Sequence, residues 1–200
     1  MTRTVQLAAI ISLSTLALAG CGGGAPDPTQ TTSAATSTSK QSLAPPINSP
    51  VSADAFKTRP CDLLTPAQRE TVGATRAPET EDSVLGPACT WHAKDVTEDV
   101  EVAATLYTKP EAVKWERFFE LKDQNPFFEP AGELAGTPAV HTHDEKKAER
   151  GGCTTQLGLN KDLMMDVSVN LPPRSPDYKT PCKVSDRMAT FVIQNLRAGG

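Results

Sequence analysis

Cysteine is the residue through which this chain could do chemistry, and its five copies stand singly at positions 21, 61, 89, 153 and 182. A structural zinc site takes paired ligands such as Cys-x-x-Cys or His-x-x-x-His, and none of the five has such a neighbour. With Cys21 set aside, Cys61, Cys89, Cys153 and Cys182 form an even set, which in an exported chain reads as two disulfides with three possible connectivities. We favour Cys61 with Cys89 and Cys153 with Cys182, each closing a loop of about 30 residues and contributing about 3–4 kcal/mol in the chain-entropy model. A nucleophilic role falls with the same step, because an oxidised sulfur has no thiolate to offer.

The run His141-Thr142-His143-Asp144-Glu145 is the other grouping with metal-ligand chemistry, since alternate residues of a strand point to one face and would bring both imidazoles together. It leads straight into Lys146-Lys147-Ala148-Glu149-Arg150, the pattern of a solvated turn, so the expectation is no metal site and no cofactor. The chain has no Gly-x-Ser-x-Gly elbow, P-loop, dinucleotide fingerprint or His-Glu-x-x-His. Scattered Asp, Glu and His single out no acid–base pair, so no catalytic residue is named and the expectation is a protein that is not an enzyme. Phe127-Phe128, between Asn125-Pro126 and Glu129-Pro130, is a candidate contact surface, because exposed aromatic area often marks a binding site. The competing reading has one ring plugging the core and the other shielding an edge.

Cys21 stands apart from the other four because of what precedes it. Arg3 gives a short basic start, Val5 to Ala19 are apolar apart from Gln6, Ser12, Ser14 and Thr15, and small residues lead to the cysteine. This is the layout of a signal peptide over residues 1–20. A transmembrane helix would need about 20 predominantly apolar residues. Leu18-Ala19-Gly20-Cys21 resembles the bacterial lipobox, which implies cleavage before Cys21 and lipidation of its sulfur, with palmitate-type acyl chains to follow on the amine. Each buried methylene contributes about 0.8 kcal/mol, so two or three chains on one residue hold a protein at a membrane where one would come off.

Residues 21–55 read as the lipidated cysteine and a disordered Ser/Thr/Pro/Gly tether, with Asp27, Lys40 and Asp54 its only charges and no aromatic residue. A flexible coil of that length spans on the order of 30 Å root-mean-square. Every aromatic residue lies at or after Phe56, which places one disulfide-stapled extracytoplasmic domain over 56–200. A domain of that size buries roughly two thirds of its unfolded surface and needs no bound ligand to complete a core. The net charge of −4 and the lack of Lys/Arg runs with interleaved aromatics exclude the usual footprints of nucleic-acid binding and of a polybasic membrane patch.

The elements that must position these residues are legible in part. Thr65-Pro66-Ala67-Gln68 has the form of a capping box, predicting a short helix to about Val72 before Gly73. Cys89, Trp91 and Ala93, then Val100, Val102, Ala104 and Leu106, alternate with polar or small neighbours as two half-buried strands. Pro110 to Lys122 spaces Ala112, Trp115, Phe118 and Phe119 as an amphipathic helix opening near Thr108. A strand over Thr137 to His143 follows a Pro/Gly-rich passage, and Thr154–Leu159 and Leu163–Leu171 form a hairpin turning at Asn160-Lys161-Asp162. A last helix opens at Thr180-Pro181 with Val184, Met188, Phe191, Val192 and Leu196 in one stripe. The fold class predicted is α+β, a mainly antiparallel sheet of about five strands packed with three helices.

Pro60-Cys61-Asp62-Leu63-Leu64-Thr65-Pro66, then Cys89-Thr90-Trp91, then Cys153, then Pro181-Cys182 at the start of a closing helix, all behind a lipobox and a tether, form a recognisable series. It resembles the actinobacterial lipoproteins grouped as domain-of-unknown-function family 3558. The resemblance implies an extracytoplasmic, cysteine-paired domain with no established activity and no functional residues to carry over. The function expected is a non-enzymatic binding or interaction module, monomeric and held at the outer face of the cytoplasmic membrane by lipid on Cys21. Its partner is an unidentified cell-envelope protein or ligand. The alternatives are a carrier or sensor of an apolar envelope ligand and, behind it, a hydrolase.

Overall fold

The structure, a computed structural model, describes residues 42–95, 100–125, 127–142 and 149–199. The leader, Cys21 and His143 lie outside these residues. Seven antiparallel strands form one sheet in the order β1-β2-β3-β7-β6-β5-β4. They are β1 Glu79–Asp82, β2 Pro87–His92, β3 Glu101–Leu106, β4 Phe128–Leu134, β5 Thr137–Thr142, β6 Gly152–Asn160 and β7 Leu163–Asn170. Three α-helices are described: α1 Pro66–Glu70, α2 Trp115–Glu120 and α3 Pro181–Gly199. After β3 the chain passes through α2 to the far edge at β4, then returns strand by strand until β7 pairs with β3.

The α+β prediction holds, and the sheet is larger than the five strands expected. The two additions are the edges. β1, Glu-Thr-Glu-Asp, is exposed throughout and carries no apolar alternation; charges on an edge strand discourage pairing with another chain. β4 contains Pro130 and Gly132 with a register shift between them, and proline is tolerated in a sheet at an edge or a bulge. β4 and β5 join through Ala135-Gly136, both at positive φ, the conformation that two-residue hairpin turns require.

α1 carries its capping box in full: Thr65 accepts from the Gln68 backbone N–H while Gln68 Oε1 accepts from the Thr65 N–H. α2 is shorter than the sequence pattern. A turn at Lys109–Ala112 and an extended Lys114 come first, so the helix begins at Trp115 rather than near Thr108. α3 opens at Pro181, as the sequence predicts, and runs nineteen residues. Its Val184, Met188, Val192, Ile193 and Leu196 meet Trp91, Val102, Leu157, Met165 and Val167 of the sheet, all of them at most 1% exposed. Both disulfides have the favoured pairing, Cys61–Cys89 and Cys153–Cys182. Two such bridges are the habit of a domain that lives outside the reducing cytoplasm.

The domain starts earlier than Phe56. The described residues belong to one compact unit, Lys40–Gly200, and the end of the expected tether is part of it. Val51 and Ala53 are buried in the main core, and Ala44 and Ile47 pack on a second apolar cluster. The Val51 N–H donates to Leu159 O at 2.8 Å, Asn160 Nδ2 donates to Val51 O at 3.2 Å, and Arg197 donates to Ser49 O at 3.1 Å. A segment too poor in large side chains to build a core can still complete one built by other residues. Among the described residues no helix is long and apolar enough to cross a membrane.

Candidate binding surface

The second cluster lies on the sheet face away from the main core. Strand alternation turns Met164 and Val140 toward it while Met165 and Ala139 join the main core. α2 adds Trp115 and Phe119, and β4 begins with Phe128. The rings form a contiguous group: Trp115 to Phe119 with centroids 4.7 Å apart, Phe119 to Phe128 at 5.1 Å and Phe118 to Phe128 at 5.5 Å. The first two contacts are edge-to-face, the arrangement that the ring quadrupole favours.

Trp115 is 1% exposed and is held from several sides. Its ring lies over Gly158, where an added Cβ would come within 2.6 Å of the indole, so only glycine lets β6 approach this closely. Its Nε1–H donates to Pro45 O at 3.0 Å. Ala44 and Ile47, from the arm that residues 42–53 form against the domain, complete the cluster. The arm thereby starts on this face, crosses the tip of the β6–β7 hairpin and enters the main core at Val51.

Two hollows flank that crossing and share Pro50, Asn160 and Asp162. One, of about 600 Å³, is walled by Pro45, Pro46, Ile47, Pro50 and Trp115. This is within the range of small-ligand sites, which are mostly apolar with a few polar groups. The other, of about 810 Å³, has Asp54, Lys57, Lys109 and Lys114 around it. Its charges are already matched: Lys57 pairs with Asp54, Lys114 with Asp162 and Lys109 with Asp82. Hydrogen bonds from Lys57 and Ser52 hold the Asp54 carboxyl below its ordinary range, and Lys161 and Lys114 do the same for Asp162. The apolar hollow is therefore the better candidate site. A third hollow of about 540 Å³ lies against Phe119 and Phe128, with Leu43, 63% exposed, on its rim.

Tyr107 forms part of the floor between cluster and sheet. Its hydroxyl donates to Asp166 Oδ2 at 3.1 Å, and Gln156 Nε2 donates to Thr142 Oγ1 at 3.3 Å. Burial first, and the Asp166 carboxylate second, push the phenol well above its ordinary range.

Phe127 and Phe128 are both half-buried, and Phe128 opens β4 as part of the aromatic group. Phe128 is a wall of the cluster, because β4 pairs with β5 and turns it onto α2. His141 lies on β5 and faces α3, its Nε2 2.8 Å from Asp186 Oδ1. Within 4.8 Å of it and of each other are the sulfurs of Cys153 and Cys182, joined in the disulfide. The residues that sequence reasoning missed are those of the arm, Pro45 and Ile47 above all, and Gly158. The one local hint was Pro45-Pro46-Ile47, a stiff apolar step inside a polar tether.

A family model described as a protein of unknown function, DUF3558, matches residues 16–195. No curated protein and no solved structure matches the chain.

Proposed function

The chain belongs to the DUF3558 family, and from that premise we propose that it is a lipid-anchored, non-enzymatic binding module at the outer face of the cytoplasmic membrane. Its binding site is the apolar hollow between the arm and Trp115. The lipobox ending in Cys21 supports the anchor, and the paired cysteines support the compartment. The observation that carries the reading is the hollow of about 600 Å³ with Pro45, Pro46, Ile47 and Trp115 on its walls, formed where the tether joins the folded unit. A partner held there would be kept close to the membrane by the same chain that binds it.

Crosslinking in living cells tests this. A photoreactive residue at Ile47 should capture a reproducible envelope protein, while the same residue at Val84, 82% exposed in the turn between β1 and β2, should not. Equal and diffuse labelling from both positions removes the site. Metabolic labelling with a fatty-acid analogue, lost in Cys21→Ala, tests the anchor separately.

The volume and apolar lining of the hollow favour one alternative, a carrier or sensor of an apolar envelope ligand. Native mass spectrometry of protein purified from membranes would then show co-purified lipid, which Trp115→Ala should release. A hydrolase, the remaining reading, would be labelled by activity-based probes.

A further inference from the structure

The two disulfides are alike in sequence separation and in the burial of their residues. Their sequence separations are 28 and 29 residues, and each joins a fully buried cysteine, Cys89 or Cys153, to a half-buried one, Cys61 or Cys182. Their surroundings differ. Cys61 sits in a four-residue 3-10 turn with its sulfur 3.3 Å from Thr80 Oγ1. Cys182 is the second residue of the nineteen-residue α3, and a helix N-terminus stabilises a thiolate. A ring nitrogen of His141 lies within 4.8 Å of both sulfurs of this pair.

His141 is itself held by a buried polar chain. Asp186 Oδ1 meets His141 Nε2 at 2.8 Å and accepts from Thr155 Oγ1 at 3.0 Å; the Thr155 hydroxyl meets Ser185 Oγ at 2.8 Å, and Ser185 donates to Val167 O at 2.8 Å. Thr155 and Ser185 are fully buried beside the apolar residues that α3 and the sheet pack together. Such a chain is costly to bury and orients what it ends on, and it ends on an imidazole beside a disulfide.

The geometry points to Cys153–Cys182 as an exchangeable disulfide, a site at which an exported dithiol protein delivers two electrons with His141 as the proton donor. A thiolate of the dithiol attacks Sγ of Cys182, the half-buried residue of the pair. The Cys153–Cys182 bond breaks as the mixed disulfide forms, and Cys153 leaves as a thiolate that takes a proton from the His141 imidazolium. The second thiol of the reductant, deprotonated by the now neutral imidazole, attacks its own sulfur in the mixed disulfide. Cys182 is released as a thiolate at the start of α3 and takes a proton from solvent or from His141. The dithiol departs as a disulfide, having given up two electrons and two protons. Cys61–Cys89 stays closed throughout.

The test uses the intact protein purified from membranes, dithiothreitol as the dithiol, and quenching with iodoacetamide followed by peptide mass spectrometry. Cys153 and Cys182 should become alkylated at least about tenfold faster than Cys61 and Cys89. His141→Ala should slow opening of this pair by about tenfold and leave the other unchanged. The sign is decisive: a histidine that merely packs would, when removed, loosen the contact of β5 with α3 and speed opening. Asp186→Asn, which keeps the shape at that position, should slow the same pair by less and serves where His141→Ala fails to fold. Equal opening of the two disulfides in the wild type, or faster opening of Cys153–Cys182 in the folded variants, overturns the proposal.

Discussion

The two faces of the sheet are built from the same alternating strands and end in different states. On one face a single nineteen-residue helix lays a matching stripe over β6 and β7, and residues such as Leu157, Val167 and Ile193 are fully buried. On the other, a six-residue helix, a proline-rich arm and one edge-strand phenylalanine do the covering. Short pieces cannot follow a twisted sheet as a long helix does, and the gaps between them are the hollows. The difference teaches where to look for function: the sealed face supplies stability, and the patched face has room for another molecule.

Neighbouring residues on opposite faces of β6 give the sharpest way to break that comparison. Leu157→Ala on the sealed face should cost about 2–5 kcal/mol, as deletion of a fully buried leucine side chain does, read by chemical denaturation. It should leave binding by the folded fraction unchanged. Gly158→Ala, one position on, drives a methyl into the Trp115 ring and should cost about 1–3 kcal/mol as overpacking. It should also shift tryptophan fluorescence and weaken crosslinking from Ile47. If the two variants alter binding alike, the faces are not divided in this way.

Trp115→Phe keeps an aromatic ring and removes the hydrogen bond to Pro45 O. A loss of about 0.5–1.5 kcal/mol is expected, concentrated in the arm. Hydrogen exchange should quicken over residues 42–50 and stay unchanged in α3; uniform loosening would show that the arm and the main core open as one.

The smallest effect is confined to alkaline solution. The folded state holds the Tyr107 phenol above its ordinary value by burial and by the Asp166 carboxylate. A group raised on folding stabilises fully below its unfolded value, near 10, and that stability is lost as pH rises toward the folded value. Wild-type stability should therefore fall on the alkaline side of about pH 10. Tyr107→Phe should flatten that limb in denaturation curves collected across the range, whereas variants of the sealed face should keep it.

Several elements could be read from the chain because their signals lie within a few residues. The Thr65 to Gln68 capping box, the α3 stripe and the turn at Asn160-Lys161-Asp162 each appear where the pattern puts them. β1 and β4 escaped because an exposed edge needs no apolar alternation and tolerates Pro130. The length of α2 escaped because Trp115 is placed by its contacts with Gly158 and Pro45 rather than by helix spacing. Of the candidate site, its aromatic half was visible as Trp115, Phe118 and Phe119 at helical spacing and as Phe127-Phe128. The arm was not.

By itself the sequence determined the fold class and the buried stripe of α3, since periodicity and capping are local, and it narrowed the cysteine pairing to three choices with one favoured. Tertiary structure alone decided that residues 44–53 leave the tether to join the domain, that an apolar hollow opens beside Trp115, and that His141 and Asp186 come to rest at one disulfide. Each of those arrangements joins residues far apart along the chain, such as Pro45 with Trp115 and His141 with Asp186. The energy that brings them together belongs to the packed whole, and no window of the sequence contains it.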